Sequence, residues 1–203
     1  MLDYQQLFAI ALGLTAPWKI ANIEFTPEDK RLDIHLDFEP GAKFVCPSCS
    51  SQDATAYDST IKTWRHLNFF QHATYLHARV PRIQCEHGFS IKQVELPWSR
   101  PQSGFTLLFE AYIMMLAKEM PVNAIAQLVG EHDIRLWRIL NHYVDKACAK
   151  EDYSAVKKIG IDETSAKRGH KYITLFIDLD KRRLLYATPG KDKETVKRFV
   201  EDL

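Results

Sequence analysis

The sequence predicts an α/β protein assembled from unlike segments, and three observations carry that prediction. Residues 31–38 alternate apolar Leu32, Ile34, Leu36 and Phe38 with polar Arg31, Asp33, His35 and Asp37, which is the pattern of a strand with one packed face. Residues 105–147 contain three runs at helical spacing. The last stretch, residues 157–203, holds three short apolar runs at 159–161, 172–177 and 184–187, followed by Val196, Phe199 and Val200 at helical spacing. It therefore reads as strand, strand, strand, helix, with polar links short enough for neighbouring strands to run antiparallel.

With 46% apolar and 26% charged residues in 203, the chain is long enough for one or two cores and too apolar for disorder. No run of eighteen apolar residues occurs, and the opening residues 1–14 carry Asp3, Gln5 and Gln6 without the basic start of a signal peptide. A cytoplasmic protein without a membrane partner is expected. The formal net charge is only +1, so any nucleic-acid contact must use local patches. Residues 1–45 hold four basic against seven acidic residues, whereas residues 46–100 hold six against four and residues 151–203 twelve against ten.

From the start, residues 2–13 read as a largely apolar helix ended by Gly13, and residues 18–25 and 31–38 as a hairpin about Thr26-Pro27-Glu28-Asp29-Lys30. Next comes Cys46-Pro47-Ser48-Cys49, and later Cys85-Glu86-His87-Gly88. Two cysteines two residues apart form half of a tetrahedral zinc site, and a further Cys and His can complete it. Cys46, Cys49, Cys85 and His87 are thus candidate ligands of a structural Zn2+, since a closed four-ligand site leaves no position for substrate. A redox dithiol would cap a helix, for which residues 50–59 show no apolar periodicity; unconnected thiols remain the other alternative. Cys148 lies outside the set and reads as a packing residue.

Two more strand-like runs, residues 61–67 and 74–83, lie between the two halves of the metal site. Trp64, Arg65, His66, His72, His77, Arg79 and Arg82 interleave aromatic and basic groups there, which suits either phosphate contact or a solvated strand face. The Pro-rich stretch 97–104 marks a boundary, after which helices are predicted at 105–119, from Pro121 to 129, and about 134–147. The short middle helix, the break at Gly130 and the third helix form a helix-turn-helix pattern, although a plain three-helix bundle would share its apolar stripe. Arg135, Arg138 and His142, at i, i+3 and i+7, are expected on a face that enters a major groove.

The stretches ALGLTAPWKI, FVCPSC, TWRHLNFFQH, LHARVPRIQCEHG, VELPWSRPQSGFT and IGIDETSAKRGHKYITLFIDLD together make the chain resemble the amino-terminal part of a bacterial insertion-sequence transposase of the ISL-three family. That resemblance implies a zinc-binding domain, a helix-turn-helix for the terminal inverted repeats, and a DDE domain of ribonuclease-H-like fold. Its organisation would be an N-terminal helix and hairpin over 1–45, a zinc-binding domain over 46–96, a linker over 97–104, a helix-turn-helix region over 105–150, and the first part of the DDE domain over 151–203. By motif position Asp162 is the first catalytic carboxylate, at the end of the first strand. Mg2+ is implied as the cofactor of the complete site, where two metal ions act on a phosphodiester.

The second Asp and the Glu of that triad have no counterpart before Leu203. Glu163 adjoins Asp162, and Asp178, at the end of the second strand, is expected near Asp162 across the sheet, but neither is expected to replace the missing ligands. The second metal half is Cys-x-His where two intervening residues are usual, and Ser50 stands where a Gly usually follows the first half. The expected function is that of a truncated transposase binding terminal-repeat DNA without cleaving it alone, with double-stranded DNA as partner and a homodimer as a candidate assembly. The alternative is a non-catalytic zinc and helix-turn-helix DNA-binding protein, either a transposase remnant or a regulator.

Overall fold

The computed structural model describes residues 3–85, 90–167 and 171–202. In chain order the elements are α1 (Tyr4–Ala11), β1 (Trp18–Thr26), β2 (Arg31–Phe38), β3 (Lys43–Phe44), β4 (Ala54–Phe69), β5 (His72–Gln84), β6 (Ile91–Gln93), α2 (Leu107–Leu116), α3 (Val122–Val129), α4 (Asp133–Cys148), β7 (Ile159–Lys167), β8 (Lys171–Asp178), β9 (Arg183–Pro189) and α5 (Lys193–Asp202). They fall into two compact units, Met1–Asn141 and His142–Leu203. No helix among the described residues is long and apolar enough to cross a membrane.

The first unit is built on a six-stranded sheet in the order β1-β2-β5-β4-β3, with β6 also paired to β5. The alternation in β2 does what its period requires: Leu32, Ile34, Leu36 and Phe38 are buried on one face, where Leu76, Ala78 and Val80 of β5 join them. β1 and β2 form the expected hairpin, but β2 then pairs parallel with β5, Arg31 opposite Ala73 through Leu36 opposite Ala78. β4 begins well before the predicted run 61–67, because its polar start still pairs with β5, Asp58 opposite Arg82 and Ser59 opposite Pro81, whereas β5 exceeds the run 74–83 only at its ends.

Residues 97–104 do more than connect. Trp98 is buried, its ring edge-on to Trp18 at 4.7 Å and to Trp64 at 5.8 Å. The carboxylate of Glu110 on α2, fully buried, accepts from Arg100 Nε at 2.9 Å and Ser103 Oγ at 2.6 Å. The Arg65 amide donates to the Gly104 carbonyl at 2.9 Å, and the Thr106 amide to the Arg65 carbonyl at 3.0 Å, so this stretch is clipped to β4 before α2 begins. The three helices then bury Phe109, Ile113, Ile125, Leu136 and Ile139.

In the second unit β7, β8 and β9 form the predicted antiparallel meander. Phe176 of β8 stacks on Phe199 of α5 at 4.1 Å, with Leu185 buried beside them. Asp192 caps α5 by accepting from the amides of Glu194 and Thr195 at 3.1 and 3.2 Å. β7 runs on to Lys167, into the stretch 163–171 expected to form a link, because Thr164 and Ser165 pair with Ile173 and Tyr172.

Candidate metal and nucleic-acid sites

The turn Cys46-Pro47-Ser48-Cys49 sits in the loop between β3 and β4, whose pairing of Phe44 with Ala54 closes the hairpin. Within it the Cys46 amide donates to the Ser51 carbonyl at 2.8 Å and the Ser50 amide to the Cys46 carbonyl at 2.9 Å. Such a closure requires the left-handed region at the residue after the second cysteine, and Ser50 adopts it with φ 59°. Cys85 follows β5, where the paired strand β6 turns the chain back. The three Sγ atoms of Cys46, Cys49 and Cys85 lie within 4.8 Å of one another, and those of Cys49 and Cys85 are 3.7 Å apart. A tetrahedron with Zn–S bonds of about 2.3 Å puts its sulfurs about 3.8 Å apart, so the spacing fits one metal ion.

The electrostatics of the trio suit metal binding as well. Backbone amides of Ser48 and Cys49 point at Cys46 and pull its thiol down to about 7. For Cys49 the Ser51 amide works in the same direction, but the Cys46 thiol, burial and Cys85 outweigh it and push the thiol up. Three adjacent sulfurs resist simultaneous ionisation unless a cation sits among them. His87, the expected fourth ligand, lies outside the described residues.

The expected basic residues divide sharply. Arg65, expected on a DNA-facing surface, is buried with 3% exposure: Nη1 donates to the Thr74 carbonyl at 3.2 Å and to that of His66, Nη2 donates to Asn68, and Nε lies 3.8 Å from Glu131. That arrangement removes Arg65 from the surface contacts, because the guanidinium is buried and turned to interior carbonyls and Asn68. Arg79 and Arg82 remain accessible, but each faces a carboxylate across the sheet. Arg79 pairs with Asp37 at 2.8 Å and lies over the Phe38 ring, and Arg82 forks onto Asp58. The hydrogen bonds that Arg82 donates to Asp58 raise the Arg82 pKa.

α3 ends at Gly130, whose φ of 69° lets its amide return to the Ala126 carbonyl and start the turn into α4. Glu131, in that turn, pairs with Arg135 one helical turn on, and the Arg135 guanidinium lies 4.4 Å from the centre of the Phe105 ring. Arg138 is exposed, and His142 is half-buried edge-on to Tyr143 at 5.1 Å. Arg135, Arg138 and His142 therefore do not form one free basic face. The exposed strip of α4 instead carries Ile134, Trp137, Arg138 and Asn141. A signal for this was present: with Leu136 and Ile139 inward, Trp137 must turn outward.

Asp162 lies within β7, opposite Leu175, rather than at its end, and it is exposed. Its Oδ1 accepts from the Glu163 amide at 2.9 Å. Asp178 pairs opposite Ile159, three positions from Asp162, and not beside it as expected. Its carboxylate is 2% exposed and accepts the amides of Asp180 and Lys181 at 3.0 and 3.1 Å, so it closes the β8–β9 turn. Among the described residues the cysteine trio is the only group of three or more His, Cys, Asp or Glu placed to hold a metal.

Fold and site together define a zinc-ribbon and helix-turn-helix protein that carries a three-stranded antiparallel meander. Comparison with known proteins places this class in a family. Residues 42–88 match the zinc-finger of transposase IS204/IS1001/IS1096/IS1165, residues 94–144 the helix-turn-helix domain of transposase family ISL3, and residues 159–203 a transposase domain of the same family. The chain is 30% identical over 212 residues, 98% of its length, to the transposase for insertion sequence element IS1557 of Mycobacterium tuberculosis, in both the CDC 1551 / Oshkosh and the ATCC 25618 / H37Rv strains. It is 25% identical over 197 residues, 95% of its length, to the transposase for insertion sequence element IS1001 of Bordetella parapertussis. The chain belongs to the ISL3 family of insertion-sequence transposases. It spans 46% of the first relative and 48% of the second, about half the length of each. No solved structure matches it.

Proposed function

We propose that this chain is the DNA-recognising part of a transposase: a zinc-tied ribbon and a helix-turn-helix that bind the terminal inverted repeats of an insertion sequence as double-stranded DNA. The observation that carries it is the α3–Gly130–α4 turn, which leaves one side of α4 exposed while Leu136 and Ile139 pack inward. Cys46, Cys49, Cys85 and His87 would hold the zinc ion, which would tie the β3–β4 loop to the end of β5 and supply no reaction chemistry. The two ends of an element offer two equivalent sites, and a homodimer is the assembly proposed to occupy them.

The meander β7–β8–β9 followed by α5 supports reading residues 159–203 as the start of a ribonuclease-H-like DDE domain, with Asp162 as its first carboxylate. Mg2+ chemistry on a phosphodiester needs several carboxylates around the ions, and the described residues bring none to Asp162. Binding without strand cleavage is therefore the activity proposed for this chain. The test is a mobility-shift and cleavage assay with duplexes carrying the element's end sequences, with Mg2+ added. Retarded but intact DNA is the expected result, and failure to retard terminal-repeat duplex in preference to scrambled duplex would remove the proposal.

A further inference from the structure

The part of α4 inside the first unit is packed on one side through Leu136 and Ile139, both fully buried. Its opposite side leaves Ile134 at 65% and Trp137 at 50% exposure, beside exposed Arg138 and Asn141. These four stand at i, i+3, i+4 and i+7, so they form one strip on the helix surface. Arg135 borders the strip but is turned away from it, held over Phe105 and against Glu131. Arg138 makes no ion pair among the described residues, and the nearby acid Asp133 turns its Oδ1 to the Ile134 amide at 2.8 Å. The strip is thus apolar and cationic together, with its charge uncompensated.

We propose that Ile134, Trp137, Arg138 and Asn141 are the base-reading edge of α4 in the major groove of duplex DNA, and that Arg135 is a positioning residue that seats the start of the helix. This rests on the DNA-binding function proposed above. The four side chains match what that groove displays. An arginine fork fits the O6 and N7 acceptors of guanine, an asparagine amide fits N6 and N7 of adenine, and apolar side chains fit thymine methyl groups. The strip lies at the amino-terminal half of the second helix of the motif, the part that reaches base edges in helix-turn-helix proteins. A protein partner would also suit Ile134, Trp137 and an arginine; the place of the strip, at the start of the second helix of a helix-turn-helix, favours duplex DNA.

The full zinc-loaded chain is offered a pool of randomised duplexes, and the selected consensus is compared with a scrambled duplex at fixed salt. Arg138→Ala and Asn141→Ala are each expected to cut the preference for the consensus roughly tenfold or more. Reselection should then relax the consensus at one or two adjacent positions while salt-dependent binding to scrambled duplex persists. Arg135→Ala should lower the melting temperature and leave the selected consensus unchanged. Reselection of the wild-type consensus by the Arg138 and Asn141 variants overturns the assignment, as does an altered consensus from folded Arg135→Ala. Sedimentation showing that Trp137→Ala changes self-association alone also overturns it, in favour of a protein interface. A chain that binds no duplex refutes the DNA-binding function itself, whereas sequence-preferring binding that survives every variant refutes only this edge.

Discussion

Thr106 Oγ1 lies 2.8 Å from His66 Nδ1 and also accepts the Phe109 amide at 3.3 Å, so one hydroxyl caps α2 and fixes an imidazole on β4. The hydroxyl keeps a second lone pair, so it can give to Nδ1 or accept from it according to the imidazole tautomer. Burial first, and then the Arg65 charge, push His66 from 6.5 down to about 4. The unfolded chain therefore takes up this proton before the folded one does. Its contribution is complete above pH 6.5 and is lost as pH falls from there through 4, amounting to about 3 kcal/mol. Urea unfolding at a series of pH values should show His66→Gln losing less stability than wild type across that window, and parallel curves would disprove the linkage.

Glu131 joins the sheet to the helix-turn-helix. Its side chain is 5% exposed between buried Arg65, at 3.8 Å, and Arg135. Glu131→Gln leaves the Arg65 charge buried without its counter-ion, which is expected to cost about 3 kcal/mol. Adding Arg65→Met should recover part of that loss, since the pair and not either residue alone is required. Additive losses in the double variant would show that the two do not interact.

What the sequence disclosed is what local periodicity can report. The inward row Leu32, Ile34, Leu36 and Phe38, the meander β7–β9, the Gly130 turn and the cysteine spacing are all local patterns, and the structure places them as predicted. The parallel pairing of β2 with β5 was not legible, because it joins strands separated by the whole β3–β4 hairpin. Arg65 looked like a surface cation for the same reason: its partner Glu131 is distant in sequence, and no local spacing marks a polar residue for burial. The basic face of α4 misled because Arg135 is spent on Phe105 and Glu131, which periodicity alone does not show.

Ser50, with φ 59°, occupies a backbone region that costs a residue with a Cβ roughly 1–2 kcal/mol. Glycine relieves that cost but loses more freedom on folding, by about 0.4–1 kcal/mol. Ser50→Gly is therefore expected to stabilise the ribbon by about 0.5–1 kcal/mol, read as a higher denaturation midpoint of the zinc-loaded chain. A lower midpoint would mean that the serine side chain contributes something its geometry does not reveal.

Removal of the metal tests the trio directly. Purified without chelators, the chain should contain one zinc ion, and a strong chelator should lower its melting temperature. Cys46→Ser, Cys49→Ser and Cys85→Ser should each lose the ion, and His87→Ala should weaken its retention if His87 supplies the fourth ligand. Full zinc content in the Cys85→Ser variant would separate the two halves of the site.

The two aspartates of the second unit should behave in opposite ways. Asp178 is buried and accepts two turn amides; the Lys181 amide first, partly offset by burial and helped by that of Asp180, holds its carboxyl below the usual range. Asp178→Asn is expected to lower the melting temperature at neutral pH, because an amide is a weaker acceptor than the carboxylate and brings hydrogens into a site built of donors. Asp162 is exposed and, among the described residues, accepts the Glu163 amide beside it, so Asp162→Asn should change folding stability by no more than about 0.5 kcal/mol. It should also leave DNA binding by this chain intact. The role proposed for Asp162 is ligation of a metal that folding of this chain does not require, so a marked loss of stability in Asp162→Asn would identify it as a structural acid instead.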